Sequence, residues 1–245
     1  MNDWYAMNRV IILFGFCTAG KSTILRVLKE NLFKDGIDIK DIDTDKRISE
    51  KKYGGHIYNI YEKLYENEGD GEKNIKVALD YIKNEEEKLL EKLAIECSES
   101  KIPFIIAPGP FLVIRKPQWS DFCKTVNPVC YYLTLTPNEV YEGLINRRNK
   151  QLEFSEISKS ECFGCWDVGV TTHYVNGKYE ELPKKQALEN ISNNMGVCKK
   201  FEELSIEISD IKRTFKAREI QKEINDGNFK NELYKSIKSV LSMPL

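Results

Sequence analysis

Gly15-Phe16-Cys17-Thr18-Ala19-Gly20-Lys21-Ser22-Thr23 spaces two glycines, a lysine and two hydroxyls in the pattern G-x-x-x-x-G-K-S-T. Those residue types at that spacing suit one chemistry, the holding of a phosphate chain. Successive backbone N–H groups of such a loop, with the N-terminus of a following helix, form a concave positive site for phosphate oxygens. Phe16, Cys17, Thr18 and Ala19 fill the loop and lend it their N–H groups. Gly15 and Gly20 permit the tight turn and the close approach of backbone to phosphate. Lys21 would reach the β- and γ-phosphates of a nucleotide such as ATP, and Ser22 would supply a hydroxyl to Mg²⁺.

A second cluster follows at Asp43-Thr44-Asp45. One carboxylate there can hold the water shell of the metal, which makes Asp43 a metal candidate beside Ser22. The other, Asp45, can align or deprotonate an acceptor hydroxyl. The same spacing also describes a solvated turn, where aspartate is common.

These residues work only if the chain around them holds them in place. Val10 to Phe14 is a short apolar run rich in β-branched residues and predicts a buried strand. From Thr23 onward Ile24, Leu25, Leu28 and Leu32 form one helical face. Strand, glycine-bounded loop and helix in that order are the setting the loop requires. Ile37 to Ile42 predicts the next strand, which would leave Asp43 and Asp45 near the carboxyl end of a parallel sheet, where ligands gather. Thr136-Pro137-Asn138-Glu139 predicts a helix start, with an N-cap, a proline at N1 and a capping-box glutamate. Val170 to Leu182 predicts a β-hairpin turning at Asn176-Gly177. Leu204 to Asp210 alternates like a last sheet strand. Residues 214–242 predict closing helices with Phe215, Ile220, Ile224, Leu233 and Ile237 on the apolar side.

Asp43-Thr44-Asp45-Lys46-Arg47-Ile48, the segment GGHIYNIYE (54–62), IKNEEEKLLEKL (82–93), PFIIAPGPFLV (103–113) and VCYYLTLTPNEVYEGLINRR (129–148) are collinear with the motifs of another group of proteins. Over residues 9 to 148 the chain resembles the shikimate kinase family. The resemblance implies a three-layer P-loop NTPase fold of the α/β class, with a central parallel five-stranded sheet flanked by helices. It also implies ATP and Mg²⁺ as cofactors and a small-molecule hydroxyl as acceptor. Lys83 stands where the family has an acceptor-binding arginine; it keeps the charge but lacks the planar fork that grips a carboxylate twice. Gly109, which the resemblance makes an acceptor-binding residue, lies in Pro108-Gly109-Pro110, where the family has three glycines, and prolines have no N–H to donate. Arg147 and Arg148 stand where the family's arginine-bearing helix ends, so that either would offset charge on the moving phosphoryl group. The family's short lid is replaced by a longer insertion, residues 149–200, which carries the hairpin. The expectation is one P-loop kinase-like domain over residues 1–245 with a lid-like insertion, transferring phosphate to an acceptor other than the family's own.

Composition narrows the remaining options. Thirty-seven basic residues nearly balance 38 acidic ones, for a net charge of −1, which argues against nucleic acid as an obligatory partner. No run is long enough to span a bilayer. Seven cysteines without a secretory leader suit a reducing, cytoplasmic setting. Cys162 and Cys165, with His173 and Cys198, invite a zinc reading, but a redox pair or separate thiols explain them as well. Two other functions stay open on the sequence alone. One is a nucleoside or polynucleotide 5′-hydroxyl kinase. The other is a nucleotide-binding interaction protein whose 149–200 insertion docks a protein partner.

Overall fold

The protein is described from a computed structural model covering residues 10–50, 71–109, 116–154, 170–175, 178–195, 212–227, 229 and 231–242. It divides into two compact units. The first comprises Met1–Thr44, Glu86–Leu135 and Phe201–Leu245; the second comprises Asp45–Glu85 and Thr136–Lys200.

The first unit is built on five strands: β1 (Val10–Gly15), β2 (Lys40–Asp43), β3 (Phe104–Ala107), β4 (Val129–Thr134) and β7 (Lys212–Lys216). Their order is β2-β3-β1-β4-β7, and every pairing is parallel. Parallel strands with both faces covered read as unbroken apolar runs. Val10, Ile11, Ile12 and Leu13 are at most 1% exposed, as the position of β1 at the centre requires. From β1 the chain goes out to β2 and returns to β3 on one side, then crosses past β1 to β4 and β7 on the other. That reversal makes the carboxyl end of β1 a topological switch point, the kind of place where ligands gather in open parallel sheets.

Helix α1 (Lys21–Lys34) follows the loop directly. Ile24, Leu25, Leu28 and Leu32 are all buried, and each such side chain contributes about 1.5–3 kcal/mol over its exposed state. The helix ends in a Schellman motif: Ile37 N–H donates to Leu32 O at 2.9 Å and Gly36 N–H to Phe33 O at 3.0 Å. Among the described residues three further helices belong wholly to this unit: α4 (Lys116–Val126), α7 (Ala217–Asn225) and α8 (Glu232–Ser242). Trp119 on α4, fully buried, meets Phe14 edge-on at 5.4 Å and stacks on Phe122 at 5.5 Å. Tyr131 on β4 ties α8 to the sheet by a 3.0 Å hydrogen bond between its hydroxyl and that of Ser236.

The last strand among the described residues is Lys212–Lys216; the 204–210 stretch, which alternation predicts as a sheet strand, lies outside the described residues. Phe215 is therefore a strand residue, not part of a closing helix. The physical reason is position. Among the described residues β7 lies at an edge and pairs with β4 alone, and an edge strand tolerates lysine and arginine, which also discourage pairing with other chains. KRTFK carries no apolar run to betray it. In α7 and α8 the expected Ile220, Leu233 and Ile237 are buried.

The second unit contains α2 (Thr44–Glu50) from Asp45 onward, the first part of the long helix α3 (Gly71–Glu99), α5 (Pro137–Phe154) and the hairpin of β5 (Thr172–Val175) and β6 (Lys178–Glu181). The remainder of α3, from Glu86, belongs to the first unit. A further helix, α6, covers 184–195. The capping box at the start of α5 forms as the sequence predicts. Thr136 N–H donates to Glu139 Oε2 at 2.6 Å, and Glu139 N–H donates to Thr136 Oγ1 at 3.3 Å. β5 and β6 pair antiparallel, with Val175 opposite Lys178, so the hairpin exists; its turn residues, 176 and 177, are outside the described residues. Lys184 of α6 places its ammonium 5.2 Å from the ring centre of Tyr141 on α5.

Candidate active site

Gly15 closes β1 in a place where a side chain would be crowded. A Cβ there would come within 3.1 Å of the Leu133 backbone oxygen and 3.0 Å of Ala19 Cβ. The loop then turns through Thr18 at φ +71 and Gly20 at φ +76, both left-handed. Glycine adopts that conformation freely, but a β-branched threonine does so only against steric resistance. Ala19 is fully buried and Phe16 nearly so, which fixes the loop on the core while Cys17 and Thr18 remain half-buried. Gly20 is the N-cap of α1 and has no side chain to satisfy the first N–H groups. Those donors are left for an anion.

Lys21 folds back over this loop. Its Nζ donates to Gly15 O at 2.8 Å and to Phe16 O at 3.4 Å. The ammonium is thus held at the mouth of the turn, where phosphate oxygens would compete for it. One residue on, Ser22 Oγ donates to Asp43 Oδ2. β2 carries Asp43 to the same edge of the sheet, in register with Ala107 of β3. A hydroxyl and a carboxylate in direct contact form a hard oxygen pair suited to Mg²⁺.

Two residues that motif spacing did not single out complete this edge. Thr44 is fully buried, and its Oγ1 accepts from Gly109 N–H at 2.7 Å. That bond ties the end of β2 to the turn after β3. It also engages the Gly109 N–H, which the sequence assigned to an acceptor. The second is Gln221 on α7, whose Nε2 donates to Thr18 O at 3.4 Å across 203 residues of sequence. Neither contact leaves a local sequence signal, because both join residues brought together by the sheet.

The first unit therefore unites Gly15 through Thr23, Asp43 and Gly109. Asp45, Lys83, Arg147 and Arg148 belong to the second. Asp45 is in the first turn of α2, half-buried. Lys83 lies on α3, and its side chain is outside the described residues. Arg148 is only 3% exposed. Its Nη2 donates to Thr171 Oγ1 at 2.5 Å and its Nη1 to Glu181 Oε1 at 3.2 Å, so it anchors the base of the hairpin. Arg147 is half-buried on the same helix. Cys162, Cys165 and Cys198 are outside the described residues and His173 lies on β5. Among the described residues no group of three or more metal-binding side chains occurs, and no helix is long and apolar enough to cross a membrane.

No protein-family model matches the chain, and no curated protein matches it. Solved structures do. Shikimate kinase from Acinetobacter baumannii in complex with shikimate is similar with a TM-score of 0.49 and 18% identity, over 92% of this chain and 95% of that one. Shikimate kinase from Bacteroides thetaiotaomicron is similar with a TM-score of 0.47 and 13% identity, over 95% and 94%. A chain of the PezAT chromosomal toxin–antitoxin system of Streptococcus pneumoniae is similar with a TM-score of 0.48 and 15% identity, over 97% and 84%.

Proposed function

We propose that the protein is a nucleotide-dependent kinase that moves the γ-phosphoryl group of ATP to a hydroxyl of a small molecule. The observation that carries this reading is the conjunction, at the carboxyl end of β1, of an uncapped helix N-terminus, the Lys21 ammonium and the Ser22–Asp43 oxygen pair. A phosphate chain needs donors, a mobile cation and a metal seat, and all three lie within eight residues of one strand end or bonded to them.

In this reading the acceptor oxygen forms a new bond to the γ-phosphorus as the bond to the β,γ-bridging oxygen breaks. ADP leaves, and the acceptor proton passes to the Asp45 carboxylate. Ser22 and Asp43 would hold Mg²⁺, which when bound supplies positive charge to the phosphates. Lys21 exchanges its loop carbonyls for phosphate oxygens, and Arg147 offsets charge on the moving group. Arg148 is spent on the hairpin and acts as an anchor. Lys83 would face an anionic group of the acceptor, and Gly109 serves by holding Thr44 between the two aspartates.

The test is transfer of the terminal phosphate from Mg·ATP to shikimate and to a panel of sugars, polyols and nucleosides, followed by mass, with Lys21→Ala beside it. A product that depends on Lys21 is expected, with transfer in the variant reduced by roughly 10²-fold or more. Nucleotide binding with no product on any acceptor would sink the kinase reading and favour a nucleotide-gated binding protein.

A further inference from the structure

The phosphate loop is not held by its own residues alone. Thr18 sits at φ +71, where a β-branched side chain crowds its own backbone. Its carbonyl accepts from Gln221 Nε2 at 3.4 Å. The same carboxamide lies against Gly20, where a Cβ would come within 2.5 Å of Gln221 Nε2. One side chain from the last third of the sequence thus touches both left-handed residues of the loop.

The orientation of that carboxamide is determined. Arg218, three residues earlier on α7, donates Nη1 to Gln221 Oε1 at 2.8 Å. A guanidinium has donors only, so the amide oxygen must face it and the amide nitrogen must face Thr18. The helix that carries both residues has its own footing: Ala217 is fully buried and Ile220 is 5% exposed. It begins directly after β7, which pairs with β4, the neighbour of β1. Backbone hydrogen bonds therefore join the strand before the loop, through β4, to the strand that leads into the helix carrying Gln221.

We infer that Gln221 is a positioning residue for the phosphate loop, holding Thr18 and Gly20 in their left-handed conformations, and that Arg218 sets the direction of its amide. The inference rests on the reading of this loop as a nucleotide site. It makes Thr18 and Gln221 partners: the strain of one is supported by the hydrogen bond of the other. Glycine at position 18 would need no such support, so the two positions must be non-additive.

The experiment uses the full chain as wild type, Gln221→Leu, Thr18→Gly and the double variant. Mg·ADP affinity is measured by titration, and amide exchange of the 15–22 backbone is measured without nucleotide. Gln221→Leu is expected to weaken Mg·ADP about tenfold and to speed loop exchange about tenfold, with little change in melting temperature. Adding Thr18→Gly should restore most of the lost affinity. Equal exchange and equal affinity in wild type and Gln221→Leu overturn the inference, as does an undiminished Gln221→Leu penalty in the Thr18→Gly background. A wild type that binds no Mg·ADP overturns the nucleotide reading instead. Loop exchange then decides the Gln221 support by itself.

Discussion

The hydroxyl of Ser22, on the first turn of α1, donates to a carboxylate oxygen of Asp43 at the end of β2, across 21 residues of sequence. A helix start and a strand end meet there because β2, β3 and β1 lie side by side in register. The contact joins the phosphate loop to the first of the two aspartates.

If that pair seats Mg²⁺, Asp43→Asn should keep the shape and lose the charge that holds the ion. The Mg²⁺ concentration for half-maximal phosphate transfer is expected to rise about tenfold. A metal titration at saturating ATP reads this directly, and an unchanged midpoint would remove Asp43 from the metal site.

Gly20 and Gly36 have nearly the same backbone, at φ +76 and +78. A Cβ on Gly36 would meet nothing within 4 Å. Alanine at either position should lower stability by about 1–2 kcal/mol through strain alone. Only Gly20→Ala should weaken nucleotide binding, since it also displaces Gln221. Melting curves set beside nucleotide titrations separate the two effects; equal affinities in both variants would deny Gly20 its role at the phosphate.

The adjacent arginines of α5 should divide by job. Arg148→Ala removes a buried charge-assisted bond to Thr171, of a kind that contributes about 1.5–3 kcal/mol, and an ion pair to Glu181, whose exposed carboxylate is screened by solvent and contributes less. It should raise amide exchange over 171–182. Arg147→Ala should leave that exchange unchanged and slow phosphate transfer by at least about tenfold. The reverse pattern would exchange the two assignments.

Cysteine reactivity offers a readout of the loop without any acceptor. Cys17 is half-buried in the turn, whereas Cys123 is buried. Burial, with Cys130 beside it, pushes the Cys123 thiol well above its ordinary range, so it stays protonated and unreactive at pH 8. Iodoacetamide should modify Cys17 and spare Cys123, and Mg·ATP should protect Cys17. Peptide masses report both; labelling of Cys17 that ignores nucleotide would place the phosphates elsewhere.

The sequence by itself determined the elements whose cause is local. β1 is a run of buried apolar residues, α1 repeats leucine and isoleucine on one face, the α5 cap is a four-residue pattern, and the loop is a spacing of glycines and a lysine. Each depends on residues next to one another, so each could be read before any fold was known. Tertiary structure alone decided the rest. β7 is a strand because β4 offers it an edge, not because Lys212-Arg213-Thr214-Phe215-Lys216 prefers one. Arg148 is an anchor because Glu181 and Thr171 are folded onto it. Gln221 reaches Thr18 because five strands in one order carry α7 to the loop, and a side chain 203 residues away leaves no mark on the local pattern.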